Sequence, residues 1–494
     1  MTSALSALLK DPGLLVLDRT YVDGSWVSSK SGQTFEVTNP ASDAVIGSLP
    51  ESGLDDLNDA IKAASRALES WKRRPGRQRA RVLHKIYELL VEHQHDLATI
   101  ISAENGKAKA DAIGEVLLSA NFFEWYSEEA SRIYGDVIEN SNPGFRTRII
   151  KEAVGVCGMI TPWNFPLAMG ARKISAALAA GCTIVLKSDG LTPFSSNALA
   201  VIAERAGLPK GVLNIVTASK NTPELGLAMC ESDIVKKISF TGSTRVGKIL
   251  YKQSASTLKK LSLELGGNAA FIVFDDADLE TAISSLLIAK FKVTGQTCVS
   301  ANRIFVQDGI YKKFSQRLVE EVSKFRVGDT LASTDGSVTH GPLTNGLGKV
   351  ESLIEDAVAK GAKVLLGGNR LPSMGKNFHE LTVLGGVDDT MAITKEEIFG
   401  PVAPLVMFST EDEVIARANA IDVGLAAYVM TSDLGRSYRM SERLETGMVA
   451  INSGVVSDAP IPFGGVKHSG FGREGSKYGL DDYLTMKTVV TGAI

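Results

Sequence analysis

Apolar residues at Leu54, Leu57, Ile61, Ala64, Leu68 and Trp71 recur every three or four positions, the period that buries one face of a helix. The same period runs from Val82 to Ile101 and stops at Asn105-Gly106, a pair that ends helices. The first 130 residues therefore read mostly as helix. A polar stretch at 139–144, with Pro143 and Gly144, interrupts the chain. From Ala153 the pattern changes. Short β-rich runs at 154–160, 183–186, 212–216 and 235–240 alternate with helical runs at 171–180, 195–206, 223–230 and 244–253. Such a βαβα series predicts a parallel sheet covered by helices, an α/β fold. A second alternation begins at 269–274 with the helix after Asp278. It continues through runs at 303–306, 362–366 and 405–408, with helices from Ile310 and Glu411. The tail, 482–494, reads as an extended strand.

The 494 residues carry 53 Lys+Arg against 56 Asp+Glu, a balance without the basic footprint of a nucleic-acid binder. No like-charge block marks a membrane patch. The longest apolar-rich stretch, 174–186, is too short to span a bilayer. Neither nucleic acid nor membrane is expected as a partner. The N-terminal MTSALSALLKDPGLL has one basic residue, an early acid and no long apolar run, so it makes a poor signal or transit peptide. Cys157, Cys182, Cys230 and Cys298 are too few for a disulfide scaffold, and none stands in CxxC spacing. A reducing, cytoplasmic setting is expected. The six histidines lack metal-ligand spacing, so no metal is expected.

Six segments carry candidate chemistry. Gly470-Phe-Gly472-Arg-Glu-Gly475 is a GxGxxG, but Pro462, Gly464 and Gly465 precede it where a dinucleotide fingerprint needs a strand, so it reads as a turn. Phe240-Thr-Gly242-Ser243-Thr244 stands where a strand gives way to a helix. Gly242 permits a tight turn, and Ser243 with the free N–H groups of the first helical turn could face a phosphate. An ordinary N-capped helix fits it equally well. Cys298 lies in the polar Thr294-Gly-Gln-Thr-Cys298 segment, where loop placement would favour the thiolate; the alternative is an inert buried thiol. Glu264, between leucines and a glycine pair, is either an outward-facing acid or a desolvated carboxylate poised as a general base. Asn164, stiffened by Pro162 and Pro166, could serve as a fixed oxyanion donor. Lys187 ends a strand, the place where α/β sheets bind ligands.

In their order and spacing PWNFP, FTGST, LELGGN, GQTC, EEIFGP and PFGGVKHSG resemble the aldehyde dehydrogenase superfamily over essentially the whole chain. The LELGGN–FIVFDDADL stretch and the GREGSKYGLDDYL tail are most similar to its succinate-semialdehyde branch. The resemblance implies a Rossmann-type cofactor domain (1–130 and 153–263), an α/β catalytic domain (264–469), and a small β oligomerisation flap (131–152 and 470–494). It implies a homodimer or homotetramer that oxidises a small aldehyde to an acid with NADP or NAD. In that scheme Cys298 is the nucleophile and Glu264 the base. Asn164 and the Cys298 N–H form the oxyanion hole. Lys187 and Glu397 hold the cofactor riboses, Phe399 packs near the nicotinamide, and Trp163, Gly242 and Ser243 lie near the phosphates.

Three departures from the family pattern shape the expectations. Arg172 and Ser457 match positions that bind a substrate carboxylate, but the second arginine is Lys292, which lacks the bidentate fork. That predicts weaker binding of succinate semialdehyde, or a longer or aromatic aldehyde. Ser300 stands where many relatives carry a second cysteine, so no redox disulfide is expected. Gly190 replaces the glutamate with which strict NAD users bind the ribose, so a 2′-phosphate is not repelled; Ser188 replaces the proline of that loop.

Overall fold

The helix Leu54–Lys72 begins where Asp56 turns back to accept the main-chain N–H of Gly53 at 2.9 Å. Asp55 and Asp56 also face the positive end of the helix dipole. Leu57, Ala60, Ile61, Ala64 and Trp71 are buried along one face. The periodic run at 82–101 resolves into two helices, Gly76–Glu92 and Gln94–Asn105, parted at His93. Around that joint the residues 92–95 are all polar, so no apolar side chain anchors a continuous helix. Gly106, at φ 83°, ends the second helix. The computed structural model describes residues 4–333 and 335–492.

The reading of the N-terminal region as mostly helical fails before residue 54. Thr20–Val22 and Ser25–Val27 form a hairpin, and Thr34–Thr38 pairs with Val45–Pro50. The hairpin turn is Asp23-Gly24, both at positive φ, the chemistry of a tight two-residue loop.

Two large sheets follow. In the first, the spatial order is Gly470–Phe471, Lys260–Glu264, Val235–Thr241, Val156–Ile160, Thr183–Ser188, Leu213–Thr217. All pairs are parallel except the first. Val156–Ile160, Thr183–Ser188 and Leu213–Thr217 are buried along their whole length, as expected where helices cover both faces. Each fully buried Val, Ile or Leu side chain contributes roughly 1.5–3 kcal/mol. The second sheet runs Lys363–Leu366, Thr382–Val387, Val402–Phe408, Ala301–Gln307, Ala269–Val273, Ala426–Met430, Met448–Ile451, with only the first strand antiparallel.

A three-stranded antiparallel sheet joins Leu484–Gly492, Phe145–Ala153 and Asp136–Ile138. The tail strand is thus seen from Leu484; residues 493 and 494 of that expectation lie outside the described residues. Val137, Ile138, Ile150, Met486 and Val490 of this small sheet are exposed. Among the described residues, no helix is long and apolar enough to cross a membrane and no His/Cys/Asp/Glu group could hold a metal ion.

Candidate active site

The carboxyl ends of the parallel strands of the first sheet lie at one edge. There Thr161 leads into the Asn164 loop, Lys187 is the last residue but one of a strand that ends at Ser188, Thr241 leads into Gly242, and Glu264 is the last residue of its own. Next to that edge is a cavity of about 320 Å³. Trp163, Asn164, Arg172, Gly242, Ser243, Glu264, Lys292, Cys298, Glu397, Phe399 and Ser457 all line it. Lys187 and Gly190 do not. They lie farther along the same edge, where a Cβ on Gly190 would come within 3.1 Å of the Ala218 carbonyl oxygen after the neighbouring strand.

The Cys298 segment is seated by backbone. Val293, Thr294 and Gly295 take three successive left-handed conformations, at φ 53°, 55° and 75°. A β-branched residue there is strained and is held by its surroundings. A Cβ on Gly295 would come within 2.1 Å of the Gly400 carbonyl, and one on Gly267 within 2.4 Å of the Cys298 carbonyl. Only glycine allows these approaches. Tyr428 Oη donates to the Val299 carbonyl at 2.9 Å.

Cys298 keeps part of its surface open to the cavity, but the cavity is walled by protein. Burial, and next the Glu264 carboxyl, push the thiol well above its ordinary range, and Arg172 only partly offsets them. That direction runs against the expected thiolate and toward the neutral thiol. Glu264 is buried, and neither carboxyl oxygen has a hydrogen-bond partner of ordinary geometry. Burial raises its pKa against the pull of Arg172, while Glu474 adds to the rise.

Behind Glu264 lies a charge cluster that the sequence reading missed. Arg172 Nε donates to Glu474 Oε2 at 2.6 Å, and its guanidinium stacks 4.2 Å from the Phe463 ring. Lys173 Nζ donates to Glu474 and, at 2.7 Å, to Thr241 Oγ1. Burial opposes the charge on Glu474, but Lys173 and Arg172 outweigh it and hold the carboxyl at about 2. Arg172, expected on a substrate carboxylate, therefore has its Nε engaged with Glu474. The signal was present: two cations inside the apolar helix Ala168–Ala180 must find a buried partner. That partner sits within the glycine motif 470–475. Gly470 there pairs with Glu264, with only glycine fitting against the Leu263 carbonyl. The motif is a packing turn at the sheet edge.

Asn164 Nδ2 donates one hydrogen to the Gln296 carbonyl at 3.0 Å, which leaves its second hydrogen for the cavity. The Cys298 main-chain N–H has no hydrogen-bond partner among the described residues.

The residues expected to hold a dinucleotide fit one. Gly242 turns so tightly that a Cβ would meet the Phe240 ring at 2.4 Å. Ser243 accepts from Val246 N and caps Thr244–Gln253. Among the described residues the N–H groups of Thr244 and Arg245 have no protein partner, as phosphate binding at a helix start requires. Trp163 and Phe399 meet edge to face at 5.5 Å. Among the described residues the Glu397 carboxyl accepts only the Gly267 N–H, and burial holds that carboxyl at about 7. Burial lowers the Lys187 ammonium, and Asp189 and Glu51 partly offset that.

The sequence pattern of the "Aldehyde dehydrogenase family" matches residues 26–489. A "Succinate-semialdehyde dehydrogenase [NADP(+)]" of Saccharomyces cerevisiae is 50% identical over 98% of this chain and 97% of its own. A "Glutarate-semialdehyde dehydrogenase" of Pseudomonas putida is 49% identical over 97% of this chain and 98% of its own. The crystal structure of a succinate-semialdehyde dehydrogenase from Burkholderia pseudomallei superposes with a TM-score of 0.96 at 47% identity, covering 98% of this chain and all of that one. On fold, site and sequence together, the chain belongs to the aldehyde dehydrogenase family, whose members oxidise aldehydes to acids.

Proposed function

We propose that this enzyme oxidises succinate semialdehyde to succinate, with NADP or NAD as hydride acceptor, through a thioester on Cys298. The observation that carries the substrate reading is an unpaired cation. Lys292, an exposed residue, lines the cavity that holds Cys298, and its ammonium has no hydrogen-bond or ion-pair partner among the described residues. Ser457 lines the same cavity. Together they suit a short aldehyde with a carboxylate at its far end, the class to which the substrates named for the yeast and Pseudomonas relatives belong. The Arg172 guanidinium adds positive potential to the buried end of the site.

The chemistry follows from the placement of the groups. Cys298 starts neutral, so its proton must leave as sulfur attacks the aldehyde carbon; Glu264, whose carboxyl bears directly on the thiol, receives it. The second Asn164 N–H and the Cys298 N–H stabilise the oxyanion, each donor worth about 10²–10³ in rate. When bound, the nicotinamide supplies the acceptor for hydride. Glu264 releases the thiol's proton to solvent, then draws a second proton from water, and the water opens the thioester.

The residues 1–130 and 153–263 serve the cofactor and 264–469 the chemistry. Exposed apolar side chains on the sheet of Asp136–Ile138, Phe145–Ala153 and Leu484–Gly492 suit pairing with a second subunit in a homodimer or homotetramer; Gly470–Phe471, expected in the same flap, instead edges the first large sheet. Without a membrane helix among the described residues, the cytoplasm suits this activity. A longer or aromatic aldehyde is the second reading, favoured by Leu118, Ile288, Val455 and Phe463 on the cavity wall.

The test compares kcat/KM on succinate semialdehyde with that on butanal, a neutral aldehyde of equal length. The semialdehyde should be preferred at least about tenfold, the value of one charge-assisted contact. Equal or better use of butanal defeats the carboxylate reading.

A further inference from the structure

The loop that presents Asn164 is held from below by an ion pair outside the cavity. Lys107 follows Gly106 at the corner between the helices Gln94–Asn105 and Lys109–Glu129, and Glu115 lies on the second of these. The side chains of both are wholly buried. Lys107 Nζ donates to Glu115 Oε2 and, at 2.7 Å, to the main-chain oxygen of Asn164. Its ammonium lies 4.3 Å from the centre of the Phe165 ring. Glu115 Oε1 accepts the N–H groups of Leu167 at 2.9 Å and Ala168 at 3.1 Å. One pair thus grips the peptide on the carboxyl side of Asn164 and the first turn of the helix that follows. Next to it, Asn105 Nδ2 donates to the Trp163 carbonyl at 3.0 Å.

This arrangement does more than satisfy two buried charges. A buried pair by itself is weak evidence for stability, because desolvation cancels most of the attraction. Here both partners bond to a single loop, Lys107 at the carbonyl of the residue whose amide faces the cavity and Glu115 at the helix start just after it. A displacement of about 1 Å in a group that meets developing charge is enough to cost about 10²-fold in rate.

We infer that Lys107 and Glu115 are positioning residues that fix the oxyanion donor Asn164, an inference that rests on the oxyanion role proposed above. Replacing both by neutral residues of similar size, Lys107→Met with Glu115→Gln, removes the bond to the Asn164 carbonyl without leaving an unpaired buried charge, while an amide oxygen remains for the Leu167 and Ala168 N–H groups. With succinate semialdehyde and NADP, kcat/KM should fall about tenfold to a hundredfold. The affinity for NADPH, read by fluorescence titration, should stay within about threefold, since the free N–H groups at Ser243–Arg245 are untouched. The deciding measurement is a double-mutant cycle. Asn164→Ala should cost about 10²–10³ in the unaltered enzyme, and in the Lys107→Met/Glu115→Gln background its cost should shrink by about the factor the double variant has already lost. If its cost is the same in both backgrounds, the pair does not act through Asn164 and the inference fails. If Asn164→Ala is harmless in the unaltered enzyme, the oxyanion reading fails and takes the inference with it. Lys107→Arg keeps the charge beside Glu115 but cannot place one N–H at the same point on the Asn164 carbonyl. It carries the same cycle if the double variant does not fold, with the same two outcomes deciding.

Discussion

Arg172 Nη2 stands 3.9 Å from Glu264 Oε2, both side chains buried, while the Nε of the same guanidinium is bound to Glu474. Arg172 therefore sets the proton affinity of the proposed base. It pulls Glu264 downward, against burial and Glu474, which push it up. In Arg172→Lys that pull weakens, because an ammonium on a shorter chain cannot reach both carboxylates. The acid limb of the kcat profile, where Glu264 must be ionised, should move to higher pH. A series of initial rates across pH on both proteins checks the direction; a limb that stays in place means that Glu264 is not the group titrating.

Glu474 links the cluster to acid stability. Its folded carboxyl sits at about 2, below its unfolded value, so its contribution is present above the unfolded pKa and is lost as pH falls toward about 2. Glu474→Gln leaves Arg172 and Lys173 as buried cations without an anion and should destabilise the enzyme by roughly 3–5 kcal/mol at neutral pH. Denaturant melts should show that gap between variant and wild type shrinking from about pH 4.5 downward.

Glu264→Gln should slow both halves of the reaction, because Glu264 takes the thiol proton in the first and the water proton in the second. The burst of reduced cofactor should be slower than in the wild type and should recover as pH rises, when the thiol ionises without a base. Hydrolysis should stay slow there, and intact-mass analysis at high pH should find the acyl group on the chain. Cys298→Ala should lose at least about 10³ in kcat, the order expected when a nucleophile is removed, and should show no adduct.

Lys292 tests substrate choice. Lys292→Ala should raise KM for succinate semialdehyde about tenfold to a hundredfold, the value of a charge-assisted contact, and leave butanal unchanged. Lys292→Arg should lower it, since a planar fork can grip both carboxylate oxygens. Steady-state kinetics on the two aldehydes decide between this role and a purely structural one.

Gly190→Glu should weaken NADPH more than NADH in direct binding titrations, because a carboxylate there meets the 2′-phosphate as a like charge. The added Cβ lies 3.1 Å from the Ala218 carbonyl, so a modest loss of thermal stability should accompany it.

Local pattern carried the parallel layers well. The predicted helix at 244–253 has those bounds in the structure, and the runs at 183–186 and 235–240 lie within their strands. These segments are buried on both faces or strongly periodic, so their composition states their environment. The N-terminal strands escaped because they are three to six residues long, too short for a period to show, although Asp23-Gly24 marked the first hairpin. At the site, the motif residues were legible one at a time. What was not legible is how they are charged. Burial and a carboxyl 34 positions earlier in the chain push the thiol of Cys298 toward its neutral form, and Glu474 meets Lys173 across 301 positions. Long-range electrostatics leave no local trace, except that a lysine and an arginine inside an apolar helix call for an acid from elsewhere.

The strand Leu484–Gly492 zips along Phe145–Ala153, and the latter runs on through Val154 and Gly155 into Val156, the start of a central strand of the first sheet. Trimming the protein before residue 484, or hanging a bulky fusion on that strand, would strip the partner from a segment that feeds straight into the layer beneath the cavity. Reporter domains and affinity handles therefore belong at the other end of the polypeptide.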